Sequence, residues 1–181
     1  MTENKKEMPA DGRFSPEQEK QLCSLFAEMI RFDAGDPKRI QHFMKVHSFA
    51  RQIAMEEGMD TQTRFVLEAA AYVHDIGIHP AEEKYGYQNG KLQEQEGPAP
   101  AGEMLTRLGF TEDVVERVQY LVGHHHTYKN IDGLDYQALV EADFLVNLYE
   151  DGESLDAIRN VGEKIFRTES GRWILKEMFG V

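Results

Sequence analysis

One stretch constrains this chain more than any other: residues 65–78, FVLEAAAYVHDIGI. It is small-residued, apolar and helix-compatible, and it ends in His74-Asp75 before breaking at Gly77. A run this apolar belongs in a core. An imidazole and a carboxylate delivered there cost on the order of several kcal/mol unless something binds them. A divalent cation is one partner that binds both, so the question for the rest of the chain is whether it supplies more ligands.

The 181 residues fit one domain, read as a disordered polar tail over 1–14 and a folded unit over 15–181. Cys23 is the single cysteine, which excludes an internal disulfide and suggests a reducing compartment. No apolar run is long enough to span a bilayer, and the first residues lack the apolar core of a signal peptide. The expectation is a cytoplasmic protein without membrane partners. A net charge of −12 argues against nucleic acid as a partner, because phosphate-backbone binding needs a basic face. A small phosphorylated substrate remains compatible, since a metal site supplies local positive charge.

The remaining patterning is helical. Ser15-Pro16-Glu17-Gln18 starts a helix, with Ser at the N-cap and Gln three on, and Leu22, Leu25, Phe26, Met29 and Ile30 follow at helical spacing. Asp36-Pro37 starts a second, running to about Glu57, in which His42 shares a face with Val46, Phe49 and Ile53. Asp60 or Thr61 caps a third that ends near Asp75. Residues 79–97 contain Gly86, Asn89-Gly90 and Gly97-Pro98 and read as irregular or briefly helical. Helices are predicted over about 99–108 and from Thr111 to Gly123, where the triplet His124-His125-His126 follows. A helix over 135–149 places Asp143 beside Leu139, Val140 and Val146, again facing inward, and two more follow over 154–166 and 169–179. No strand alternation of useful length appears, so the fold class is all-α: a single-domain helical bundle.

His42, the His74-Asp75 pair and Asp143 therefore converge from three helices. Imidazole and carboxylate donors together suit Mn, Mg, Fe, Co, Ni or Zn. The ordered set resembles the HD superfamily of metal-dependent phosphohydrolases. The likeness lies in His42 with its following Lys45, Val46, Ala50 and Ile53-Ala54, in AAAYVHDIG over 69–77, in the histidines at 124–126, and in VEADFLVNLYE over 140–150. It covers roughly residues 36–150. The resemblance implies metal ligands at His42, His74, Asp75 and Asp143. It also implies hydrolysis of a small phosphoester, often a nucleotide, by attack of metal-bound water on phosphorus. Asp75 would serve as ligand and as acceptor of a proton or hydrogen bond from the attacking water. His124 and His125 would bind phosphate, protonate the leaving oxygen or ligate a second ion. Lys45 and Lys129 would contact substrate.

The chain departs from the two-metal members at Gly97, where they carry a histidine in an H-P-x-x-G-A-like stretch. Glu96 is the neighbouring donor. Lys84 is the nearest candidate for a lysine that many relatives carry after the His-Asp motif. His47 and His79 read as structural or surface residues, His126 as pointing to solvent, and the acidic run from Glu94 to Glu96 as a solvated loop. The closing segment SGRWILKEMFGV reads as a packing lid or a homodimer contact. Two other functions stay open at this level: a metal-stabilised module that binds a nucleotide without turnover, and a di-iron protein that activates oxygen.

Overall fold

The structure, a computed structural model, describes residues 12–181. The tail over residues 1–11 lies outside the described residues. Ten helices follow one another within them: α1 (Pro16–Phe32), α2 (Pro37–Glu56), α3 (Thr61–Val73), α4 (Ile78–Tyr85), α5 (Gly90–Glu96), α6 (Pro98–Arg107), α7 (Glu112–Val122), α8 (Leu134–Glu150), α9 (Leu155–Lys164) and α10 (Glu169–Phe179).

The start signals act as their chemistry suggests. The Ser15 hydroxyl accepts from the Gln18 amide at 3.2 Å, and the Gln18 side chain accepts from the Ser15 amide at 3.0 Å. Asp36 caps α2 through the Arg39 amide, and Asp60 caps α3 through the Thr63 amide. The boundary of the folded unit lies slightly earlier than expected: Phe14 is buried, edge-on to Phe65 and under the Arg64 guanidinium.

Helices α3 and α8 form the centre, and α2 packs on both. Most helices are apolar along one stripe, but α3 and α8 are buried nearly all round, as helices enclosed by others are. Leu67, Ala69, Ala70, Ala71 and Val73 of α3 meet Val46, Ala50 and Ile53 of α2 and Leu139, Ala142 and Leu145 of α8 in one cluster. Each large aliphatic buried there contributes roughly 1.5–3 kcal/mol. Ile174 and Leu175 of α10 join that core, while Trp173 stays exposed.

The region 79–97, read as irregular or briefly helical, holds two short helices, α4 and α5. Asn89 marks a helix start: its side chain accepts from the Leu92 amide. Gly86, at φ 77°, ends α4 in the left-handed conformation that glycine adopts without strain. Glu94 is tied to the His126 amide and the Thr127 hydroxyl, so it is not a freely solvated acid. Lys84 and Glu96 pair with each other at 3.0 Å, beside Tyr85, on the exposed side of this hairpin.

The turn after α3 is pinned by backbone contact. A Cβ on Gly77 would lie 2.5 Å from the Gln93 carbonyl and 2.8 Å from the Gly97 nitrogen. Only a bare backbone fits at that junction, and the fit holds His74-Asp75 against the core. Among the described residues, no helix is long and apolar enough to cross a membrane.

Candidate metal centre

His42 comes from the middle of α2, His74 and Asp75 from the turn that ends α3, Asp143 from α8, and His125 from the turn after α7. Their polar atoms meet in the core. His42 Nε2 lies 3.3 Å from His74 Nε2, 3.2 Å from Asp143 Oδ1 and 3.5 Å from Asp75 Oδ2. His74 Nε2 lies 3.6 Å from both Asp75 Oδ2 and Asp143 Oδ1. His125 Nε2 lies 3.5 Å from the other Asp75 oxygen, Oδ1.

The outer nitrogens decide what the inner ones are. His74 Nδ1 donates to the Ala71 carbonyl at 2.9 Å, and His125 Nδ1 donates to the Val122 carbonyl at 2.8 Å. His42 Nδ1 is held by Glu150 Oε2 at 3.2 Å. With Nδ1 protonated in each ring, all three Nε2 atoms turn bare lone pairs inward. They face two carboxylates, which also only accept. His125 Nε2 is fully buried with no hydrogen-bond partner among the described residues. Lone pairs gathered in this way need protons or a cation between them. Two ligands at right angles around an ion with bonds of about 2.1 Å stand about 3 Å apart, close to the separations seen here. The donor set therefore fits a divalent cation, in two overlapping groups that share Asp75: His42, His74 and Asp75, and Asp75, His125 and His126.

The electrostatics agree. Burial opposes charge on His42, but Asp143, Asp75 and Glu150 outweigh it and raise its pKa to about 9. His74, fully buried, is also raised, by Asp75 and Asp143 against desolvation. Burial likewise opposes ionisation of Asp75 and Asp143, yet the imidazoles hold both carboxyls far below their usual range. Without a cation the cluster takes up protons in its place.

A cavity of about 350 Å³ opens over the centre, with His42, Asp75, His126 and Asn147 in its lining. Asp75 is the carboxylate that reaches it: its side chain is 26% exposed, against 6% for Asp143. Asn147 donates to Asp143 Oδ1 at 2.9 Å, one turn along α8.

Other predicted site residues sit elsewhere. His124 is not brought into the cluster. Its ring stacks on Tyr120, and its Nδ1 donates to the Tyr120 carbonyl at 2.7 Å, because successive residues of a helical turn point in different directions. His126, expected to face solvent, turns into the cavity instead, with Nε2 donating to Gln93 Oε1 at 2.7 Å. The bare backbone of Gly90 makes room for it, since a Cβ there would lie 2.8 Å from the ring. Burial and the neighbouring His125 lower the His126 pKa to about 4. Lys45 is committed to Glu150 Oε1 at 2.5 Å, and Lys129 stands exposed in the loop beyond the triplet. His47 and His79 serve other carboxylates: Glu68 at 3.0 Å and Asp33 at 3.0 Å.

Sequence reasoning missed Glu150 and Asn147. Their signal was present: Asn147 and Glu150 follow Asp143 at four and seven residues, on one helical face. Gln93 and His126 carried no comparable signal, because their placement depends on how α5 packs against the turn after α7.

The fold and the cluster define a class: an all-α protein whose core carries a histidine–carboxylate centre for a divalent metal. Comparison with known proteins places it further. The HD domain family matches residues 39–161. Among solved structures, a predicted HD superfamily hydrolase from an uncultured Thermotogales bacterium is similar, at 26% identity and a TM-score of 0.58, over 88% of this chain and 84% of that one. No curated protein matches the sequence. The chain belongs to the HD domain family, and with it to the metal-dependent hydrolases of the HD superfamily.

Proposed function

We propose that this protein hydrolyses a small phosphoester, a nucleotide in particular, with a divalent cation held by His42, His74, Asp75 and Asp143. His125 joins this ligand set rather than acting as an acid or base, since its ring is fixed on the Val122 carbonyl and its buried Nε2, without a hydrogen-bond partner among the described residues, faces Asp75. The observation that carries the reading is the convergence of three imidazole Nε2 atoms and two carboxylates, which need protons or a cation between them.

When bound, the cation supplies Lewis acidity, lowering the pKa of water and drawing charge from a phosphoryl oxygen. The chain does the rest. The outer hydrogen bonds to Ala71, Val122 and Glu150 fix the three imidazole rings, as second partners of ligand histidines do. Asp75, the carboxylate open to the cavity, accepts the hydrogen bond of the water that attacks phosphorus and passes its proton on to the leaving oxygen as the ester P–O bond breaks. The cavity over the centre seats the ester within reach of that water. His124 and Lys129 have no part in this scheme.

The test is hydrolysis of a panel of nucleotides and simple phosphoesters by metal-stripped protein resupplied with Mn, Mg, Co, Ni or Zn, with Asp75→Ala run alongside. Metal-dependent cleavage that the substitution abolishes is the expected result. Protein that binds the metal and cleaves nothing contradicts the proposal.

A further inference from the structure

The cavity over the centre carries an uneven set of charges. Arg39, at its edge, is already engaged: its guanidinium lies 2.7 Å from Glu82, 3.4 Å from Asp36 and 3.0 Å from His79. Lys38 also lines the cavity, and among the described residues it has no carboxylate partner. It stands one helical turn before His42, so the two share a face of α2. Against this free cation, Asp36, Glu150 and Asp151 line the same space. Asp36 is paired with Arg39 and Glu150 with Lys45, so among the described residues a ligand with several ionised phosphates would meet one ammonium without a carboxylate partner, Lys38, and one further acid, Asp151.

Two glutamine amides, Gln88 and Gln93, also line the cavity. Gln93 Nε2 donates to Gln88 Oε1 at 2.5 Å, and Gln93 Oε1 accepts from His126. That chain of bonds orients Gln88 and leaves its own amide NH2 without a protein acceptor among the described residues. The cavity volume of about 350 Å³ lies near the lower end of small-molecule sites, which span roughly 300–1,000 Å³. It suits one compact ligand rather than a dinucleotide.

We propose that Lys38 and the Gln88–Gln93 pair determine specificity, and that they select a phosphomonoester with a single phosphoryl group and a polar, hydrogen-bonding organic part. Lys38 receives the phosphoryl group beside the centre, and Gln88 donates to the organic part. Within the nucleotides this means a nucleoside monophosphate in preference to its triphosphate. The inference rests on the hydrolase reading above for its chemistry, but not for all of its test.

Two measurements on the full chain loaded with Mn test it. The first is calorimetric titration with inorganic phosphate, which needs no turnover. The second is steady-state hydrolysis of the 5′-mono- and triphosphates of adenosine, guanosine, cytidine and uridine. Lys38→Gln is expected to weaken phosphate binding about tenfold, the loss typical of a charge-assisted hydrogen bond. Gln88→Leu is expected to raise KM for the preferred monophosphate while phosphate binding stays as in the wild type. The preferred monophosphate is expected to exceed its triphosphate by about tenfold or more in kcat/KM. Both side chains are exposed, so neither substitution empties the core. Unchanged phosphate affinity in Lys38→Gln, or a triphosphate cleaved as well as the monophosphate, overturns the inference. If Asp75→Ala abolishes cleavage in that same experiment, the hydrolase reading survives the loss. If nothing is cleaved, the hydrolase reading falls, and the phosphate titration still decides the role of Lys38.

Discussion

Glu141 and Asp143 lie two residues apart on α8, both buried, and they live in opposite chemical surroundings. Glu141 is surrounded by donors. It accepts from Gln137 Nε2 at 2.7 Å, from the Arg167 amide at 2.6 Å, from the Thr168 amide at 3.0 Å and from the Thr168 hydroxyl. Gly171 leaves it space, because a Cβ there would overlap the carboxylate. Its lone pairs are used up in holding the α9–α10 junction to α8. Asp143 faces the inward nitrogens of His42 and His74, which satisfy it only by taking up protons or sharing a cation with it, and Asn147 is its one neutral donor among the described residues. A buried carboxylate satisfied by the chain is a structural joint, and one facing other acceptors is an open valence. Glu68 belongs with the first kind, paired with His47, Arg51 and Arg64. The pair on α8 shows that burial of an acid alone does not mark a metal site; the sign of its neighbours does.

That contrast predicts the largest effect at the joint. Glu141→Ala strands several buried donors at about 1–3 kcal/mol each. Thermal unfolding should therefore shift down by more than about 10 °C, at roughly 2–4 °C per kcal/mol for a chain of this size. The folded fraction should still bind cation with wild-type affinity. A small shift would make Glu141 dispensable and break the comparison.

At the open valence the pattern should reverse. Asp143→Asn should weaken cation binding by about a hundredfold or more, at the upper range for loss of a well-placed partner, and abolish the rise in Tm that metal confers. Its metal-free Tm should fall less than that of Glu141→Ala. Calorimetry and thermal scans with and without Mn or Zn check both statements.

Proton linkage sharpens the same point. His42 is raised from 6.5 to about 9, so its ion pairs stabilise the metal-free fold fully below pH 6.5 and are lost as pH climbs through about 9. The metal-free Tm should decline across that window. A bound cation replaces those protons, so metal affinity should rise with pH over the same range and the decline should shrink. A metal-free Tm flat from pH 6.5 to 9 would show that the imidazoles carry no such charge.

Much of this was legible in the sequence, and for physical reasons. Helical periodicity places His42 inward through Val46, Phe49 and Ile53 at four, seven and eleven residues, and Asp143 inward through Leu139, Val140 and Val146 at four and three residues. The run before His74 leaves no polar face for that residue to escape to. The triplet at 124–126 was not resolvable: three successive residues fan out in different directions, and only the packing of α7 selects His125 for the core and sends His124 onto Tyr120. For the segment 79–97 the sequence leaves irregular chain and brief helix both open, because Asn89-Gly90 serves a turn or a helix start equally well; the Asn89 side chain closes on Leu92 and selects the helix. Lys45 looked like a phosphate ligand until Glu150, more than a hundred residues away, took its charge.

A smaller effect belongs to Glu150, which holds the outer nitrogen of His42. Glu150→Gln keeps the size and removes the charge, and should cost about 10–100-fold in cation affinity. The smallest belongs to His124→Ala, which should leave cation affinity unchanged, its ring being occupied by Tyr120.

The most direct test of the account is the affinity and stoichiometry of Mn or Zn on metal-stripped protein, measured by calorimetry and elemental analysis for wild type, His74→Ala, His125→Ala and His124→Ala. The account predicts tight binding by wild type and His124→Ala, with loss in His74→Ala and marked weakening in His125→Ala. Wild-type protein that takes up no cation, or a loss at His124 as great as at His74, would contradict it.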